Sequence, residues 1–200
     1  MEKFIIKIHP IIEYPPCLKS GNKQDCFSCP ILTRRKCNSP RSMCTISYTA
    51  HKKGCPNYNR RKDCPPNVKM LDEYFNMDKP IFFIIYEFPL YQHIEKMRIK
   101  HPDWTKRQLE NCLYWQGTAR KKLRENIKFF FEEHTDQEYV VNYTPEAMGV
   151  NVSKTIIQYG IKLDWPPIHY VYKIALAGVL KDNNLYNKEI FEKKSMNLNK

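Results

Sequence analysis

A chain of 200 residues is long enough for one substantial core, and 42% hydrophobic, 13% aromatic and 27% charged residues exclude a disordered polymer. No apolar run approaches the roughly 18 residues of a membrane span, and the absence of a Walker-type loop, GxGxxG and GxSxG argues against a nucleotide-dependent enzyme or a serine hydrolase. The formal net charge of +12 is concentrated: between Cys17 and Met70, twelve Lys or Arg stand against only Asp25 and Asp63.

In chain order, "KFIIKIH" (Lys3 to His9) reads as a short strand, ended where Pro15 and Pro16 remove two backbone donors. From Cys17 to Asn67 neither helical nor strand periodicity is visible, and about fifty residues without regular elements need something other than an apolar core to order them. "VKMLDEYFNM" (Val68 to Met77) suggests a short helix. "PIFFIIYEF" (Pro80 to Phe88) is apolar almost throughout, as in a strand covered on both faces.

The stretch from His101 to His134 predicts the strongest helix, because Leu109, Cys112, Leu113, Ala119, Leu123, Ile127, Phe130 and Phe131 recur at helical spacing. Cys112 then belongs to the core, and Gly117 is the place where the helix would thin. "QEYVVNYT" (Gln137 to Thr144) reads as a strand. "TPEAMGVNVSKTIIQYG" reads as a helix with Thr144 as N-cap, Pro145 in the first turn and Gly160 as the stop. "IKLDW" and "IHYVYKIALAGVL" predict a hairpin of strands around Pro166 and Pro167. The expected architecture is one α+β domain over residues 1–180, a mixed sheet with packed helices, carrying residues 17–67 as a cysteine-rich, metal-ordered irregular insert; residues 181–200 form a polar tail.

The insert holds seven of the eight cysteines: Cys17, Cys26, Cys29, Cys37, Cys44, Cys55 and Cys64. The only early apolar run is short, is broken by Lys7 and has no cleavage site, so a cytoplasmic location is expected. In that compartment clustered thiols stay reduced and read as metal ligands; the odd number also argues against complete disulfide pairing. "CFSC" lets Cys26 and Cys29 reach one metal from a single turn. A zinc ribbon would present a second CxxC, and a bacterial ferredoxin a tighter run, so neither template fits. Iron-sulfur, in the form of a 4Fe-4S cluster, and zinc both suit soft thiolates. Seven ligands allow one site completed by four thiolates and a second with three, whose open position would admit a substrate.

The loop "CPNYNRRKDCPP" resembles the signature of a family of small proteins described as metal-binding from their sequences, whose loop reads approximately C-P-x-Y-G, four residues, C-P-P. Cys55, Pro56, Tyr58, Cys64, Pro65 and Pro66 match it, and Asn59 stands at the glycine. Cys26, Cys29, Cys37 and Pro40 are similar to that family's CxxC group, which here precedes the loop instead of following it. "YTPEAMGVNVSKTI" is similar to its P-x-x-E-A-x-G-I-D-V stretch through Glu146, Ala147, Gly149 and Val152. The resemblance implies cysteine ligation of a metal, foremost an iron-sulfur cluster, with no established reaction.

The basic residues admit three readings: they neutralise an anionic cluster, with Arg60, Arg61 and Lys62 beside it; they bind nucleic acid, with Phe27, Tyr48 and Tyr58 to stack on bases; or they form a solvated face. His51 is an outside candidate for mixed ligation. Glu87 and Glu146 are candidate acids or bases, although a carboxylate at a helix start also serves the helix dipole. Trp104, Trp115 and Trp165 read as core or interface anchors. An iron-sulfur protein would need a redox partner protein; a zinc module with this basic segment would engage RNA or DNA.

Overall fold

The computed structural model describes residues 4–13, 39–47 and 51–181. Its centre is the strand read from the apolar run, β2 (Ile81–Pro89), flanked by β1 (Phe4–Ile8) on one side and β4 (Tyr170–Val179) on the other, with the short β3 (Tyr139–Asn142) outside β4. The order is β1-β2-β4-β3 and every neighbouring pair is antiparallel. The expected mixed sheet is therefore replaced by an antiparallel one. An apolar run shows that both faces are covered but is silent on strand direction.

Alternation along the two central strands divides the core. Ile81, Phe83 and Ile85 of β2 and Leu176 of β4 point to one side, where they meet α1 (Leu71–Tyr74), the 3-10 turn Pro145–Met148 and α5 (Val152–Ile157). Phe82, Ile84, Tyr86 and Phe88 with Ala175 and Ala177 point to the other, where α4 (Gln116–Glu133) lays Ala119, Leu123, Ile127 and Phe130 across them. That spacing of three and four residues makes one buried stripe on α4. Asn126 Nδ2 adds a 2.8 Å hydrogen bond to the Ile85 carbonyl, which fixes the helix along β2.

The long predicted helix is interrupted. Thr105 caps α3 (Lys106–Leu109) through a reciprocal pair with Gln108; Asn111 then accepts from the Leu113 N–H and opens the 3-10 turn Cys112–Tyr114 before α4 begins. The break lies at Asn111 to Trp115, ahead of Gly117. Its effect is to seat Trp115 against Phe88, ring centroids 5.1 Å apart, at the cost of exposing Leu113. The helix expected from Thr144 is split in the same way: the Thr144 side chain makes no cap bond, Gly149 is left-handed at φ 84, and Asn151 caps α5 instead.

One helix was not anticipated, α2 (Leu90–Lys100), whose only buried side chain is Leu90, so it carries little apolar pattern to read. "IKLDW" forms no strand, and Trp165, read as a core or interface anchor, is 79% exposed and so lies outside the core. Gly160, at φ 80, follows the end of α5 as expected. No helix among the described residues is long and apolar enough to cross a membrane. The tail beyond residue 181 lies outside the described residues.

Candidate functional site

Cys17, Cys26, Cys29 and Cys37, with Phe27 and Tyr48, lie outside the described residues. The other three predicted ligands, Cys44, Cys55 and Cys64, are within them, all partly buried. Cys44 sits in the 3-10 turn Pro40–Thr45, which Pro40 starts and internal hydrogen bonds from Ser42 and Thr45 tighten. The Cys55 N–H donates to the Cys44 carbonyl at 2.8 Å, so the two cysteines are joined through their backbones. Gly54 makes this approach possible: it is left-handed at φ 86, and a Cβ there would stand 2.5 Å from the Cys44 carbonyl oxygen.

From Cys55 the chain folds into a tight loop. The Tyr58 N–H donates to the Cys55 carbonyl at 3.1 Å, the Asn59 N–H to the Pro65 carbonyl at 2.8 Å and the Cys64 N–H to the Arg61 carbonyl at 3.2 Å. Asn59 is left-handed at φ 54, a conformation that asparagine tolerates better than most side chains. Buried Asp63 accepts from the Arg61 guanidinium at 3.0 and 3.2 Å, and its carbonyl accepts from the Thr144 hydroxyl at 3.1 Å. The loop is thereby fastened to the 3-10 turn Pro145–Met148, against which the Cys44 turn also packs.

Burial, then the neighbouring Cys55 and Cys64, push the Cys44 thiol up to about 11; Glu146 adds to this and the Arg41 guanidinium opposes it. The cation acting on the Cys44 thiol is Arg41, while Arg60, Arg61 and Lys62 are exposed and Arg61 is engaged by Asp63. Arg41 is buried, donating to the Val68 carbonyl at 2.9 Å and to the Met70 sulfur at 3.1 Å. Glu146 keeps an exposed edge, yet protein atoms crowd its carboxyl, and that desolvation raises its pKa against the opposing effects of its own backbone N–H and Lys173.

Among the described residues, no three or more His, Cys, Asp or Glu side chains form a group that could by itself hold a metal ion. His51 is exposed. Cys112 is a clear correction: it is exposed in the turn Cys112–Tyr114, because the break after Asn111 rotates it off the stripe that α4 continues. In the metal-free chain, iodoacetamide at pH 8 is expected to label Cys112 well before Cys44, which is both shielded and held neutral. Peptide mapping of the alkylated protein would read the order, and equal labelling would contradict it.

The sequence pattern did not single out Arg41, Asp63 or Gly54 for this site; their roles depend on loop closure, which leaves no periodic signal. The chain matches no protein-family model, no curated protein and no solved structure.

Proposed function

We propose that the chain binds an iron-sulfur cluster through its N-terminal cysteines and serves in electron transfer to a partner protein, or in redox or sulfur chemistry at an incompletely ligated iron. The observation that supports this reading is that the Cys55 N–H bonds to the Cys44 carbonyl and that Cys55, Cys64 and the buried Arg41 lie near enough for their charges to act on the Cys44 thiol; since these three cysteines do not by themselves form a group that could hold a metal ion, the reading needs further ligands. Their donor chemistry suits such a centre: soft thiols, of which Cys44 is held neutral by burial and by its two neighbours, are the groups a metal cation would deprotonate and hold. The four cysteines between residues 17 and 37 supply the remaining ligands in this reading.

Two further features support it. The loop Cys55 to Pro66 and the stretch around Glu146, two of the three segments that carry the family resemblance, meet through the Thr144 hydroxyl and the Asp63 carbonyl. Asn59 adopts the left-handed backbone that a glycine takes most readily, at the position where the resemblance has glycine. The second reading, a zinc-stabilised module for RNA or DNA, draws on the exposed Lys52 and Lys53 just ahead of Gly54 and on Arg60 and Lys62 of the loop that follows Cys55.

Anaerobic purification of the full-length chain separates them. The expected product is brown, contains iron and acid-labile sulfide, and loses most of its iron in each of Cys44→Ser, Cys55→Ser and Cys64→Ser. A colourless, zinc-bearing chain with salt-dependent retention on RNA or DNA would favour the second reading. Equal partial losses of iron at all seven cysteines would sink the proposed division into a complete and an open site.

A further inference from the structure

Three rings that belong to neither core of the sheet stack on one another where the chain passes from α2 to α4. His101, at the end of α2, lies parallel to the Trp104 indole, with 4.0 Å between centres and 7° between planes. Tyr114, in the turn before α4, lies 4.8 Å from the same indole at 34°. Two rings this close to one face of an indole would touch. Among the described residues His101 and Tyr114 make no ring contact with each other, so they cover opposite faces of Trp104. Tyr114 therefore ends the stack. It is 50% exposed, and Leu113 beside it is 79% exposed, an arrangement that packing alone does not call for.

The turn that carries Tyr114 leads directly into α4. Spacings of four, three and four residues put Gly117, Lys121, Arg124 and Lys128 on the face of α4 opposite its buried stripe. Among the described residues nothing lies within 4 Å of a Cβ placed at Gly117, so the first turn of this face is open. Between residues 116 and 129 five Lys or Arg stand against Glu125 alone, and Glu125 is taken by Lys122 at 2.7 Å. Lys121 and Arg124 are exposed and have no ion pair among the described residues, while Lys128 reaches Glu132 only at 3.9 Å. Near the far end of the stack, Lys100 and Arg107 are likewise exposed and without an ion pair. Lys173 does not join this set, because its ammonium already stands 6.0 Å from the centre of the Trp115 ring.

We infer that this surface binds single-stranded RNA: one base stacks on the outer face of Tyr114, and the phosphates that follow lie along Lys121, Arg124 and Lys128. A rise of about 1.5 Å per residue spreads those three cations over about 10 Å, a row that suits a polyanion better than a single small anion. An acidic peptide or an anionic bilayer would meet the cations, but neither offers a flat ring to Tyr114. A duplex keeps its bases inside its own stack, whereas RNA presents unpaired bases in loops and at ends. The surface is built on other elements than the basic residues of the cysteine turns, and the inference does not depend on any metal.

The test is the fluorescence anisotropy of a labelled short oligouridylate titrated with the full-length chain. Tyr114→Ala is expected to weaken binding about tenfold, and Tyr114→Phe, which keeps the ring, to restore it. Combining Lys121→Gln, Arg124→Gln and Lys128→Gln should lower the slope of log affinity against log salt by about 2. Trp165→Ala removes an exposed ring outside the stack and should change nothing. The same strand annealed to oligoadenylate should bind much more weakly. The inference is overturned by an absence of binding at low salt, by wild-type affinity in Tyr114→Ala, or by tighter binding of the duplex or of single-stranded DNA. It is overturned as well if polyglutamate or phosphatidylserine vesicles depend on Tyr114 as strongly as the RNA does. Loss of binding in the combined variant of Lys52→Gln, Lys53→Gln, Arg60→Gln and Lys62→Gln, with full binding in Tyr114→Ala, would assign the RNA to the cysteine turns instead.

Discussion

Gly54→Ala is expected to separate the two cysteine turns and to lower stability by roughly 2–5 kcal/mol. One part of this is conformational: at φ 86 a Cβ costs about 1–2 kcal/mol. The other is steric. The added carbon would lie 2.5 Å from the Cys44 carbonyl oxygen and 3.0 Å from two Thr45 backbone atoms, and backbone cannot swing aside as a long side chain can. Overpacking of this kind costs about 1–3 kcal/mol. The atom that must move accepts the 2.8 Å hydrogen bond from the Cys55 N–H, so relief of the clash breaks the link between two proposed ligands. A Tm depressed by about 5–15 °C and a lower iron content per chain are the expected readings. Gly117→Ala is the matched control, since a Cβ there meets nothing within 4 Å and α4 should gain up to about 1 kcal/mol. If Gly54→Ala melts with the wild type and loads iron fully, the junction between the turns is not what holds the cysteines together.

The residues that were legible in the sequence are those whose burial is periodic. β2 announces itself because nearly every side chain from Ile81 to Phe88 is covered, and α4 because Ala119, Leu123, Ile127 and Phe130 fall on one stripe. Where periodicity continued across a local capping signal, it misled. Leu109, Cys112 and Leu113 extend the α4 pattern on paper, but Asn111 captures the Leu113 N–H and ends that register, leaving Leu113 79% exposed and Cys112 at the surface. Asn and Thr compete with helix by bonding nearby backbone, and the winner depends on what the next residues gain, here the seating of Trp115. α2 shows the converse case, a helix with so little buried surface that it has no pattern to give.

The candidate site was legible in composition and illegible in arrangement. Seven cysteines in a basic segment suggest ligands, yet nothing in that composition separates Arg41, which is buried and acts on Cys44, from Arg60, which faces solvent. The difference arises because Arg41 follows Pro40 in a turn that packs on Pro145–Met148, a contact across about a hundred residues. Lys173 was hidden for a related reason. Within "YVYKIALAGV" it reads as one polar residue in a strand, and only the short reach of β3 leaves the outer edge of β4 beside it without a partner among the described strands.

Gly149→Ala tests whether the stretch around Glu146 supports the cysteine turn or merely lies near it. Gly149 is left-handed at φ 84, and a Cβ would come within 2.2 Å of the Met70 methyl and 3.1 Å of its sulfur. Met70 is only 2% exposed and its sulfur accepts from Arg41, so the methyl can turn aside only within a closed space, while any shift of the sulfur disturbs the guanidinium that acts on Cys44. Strain and overpacking together are expected to cost roughly 2–5 kcal/mol, and iron content should fall with them. General destabilisation would give the same two readings, so the informative measurement is the double variant with Met70→Ala. Truncating Met70 alone leaves a cavity and costs about 2–5 kcal/mol, but in the double variant the new methyl occupies part of that cavity. The pair should therefore be less destabilised than the sum of its singles by at least about 1 kcal/mol. Arg41, which also holds the Val68 carbonyl, would remain in place. Strict additivity in urea denaturation would show that Gly149 and Met70 do not meet as argued, and that the turn bearing Glu146 does not reach Cys44 through Arg41.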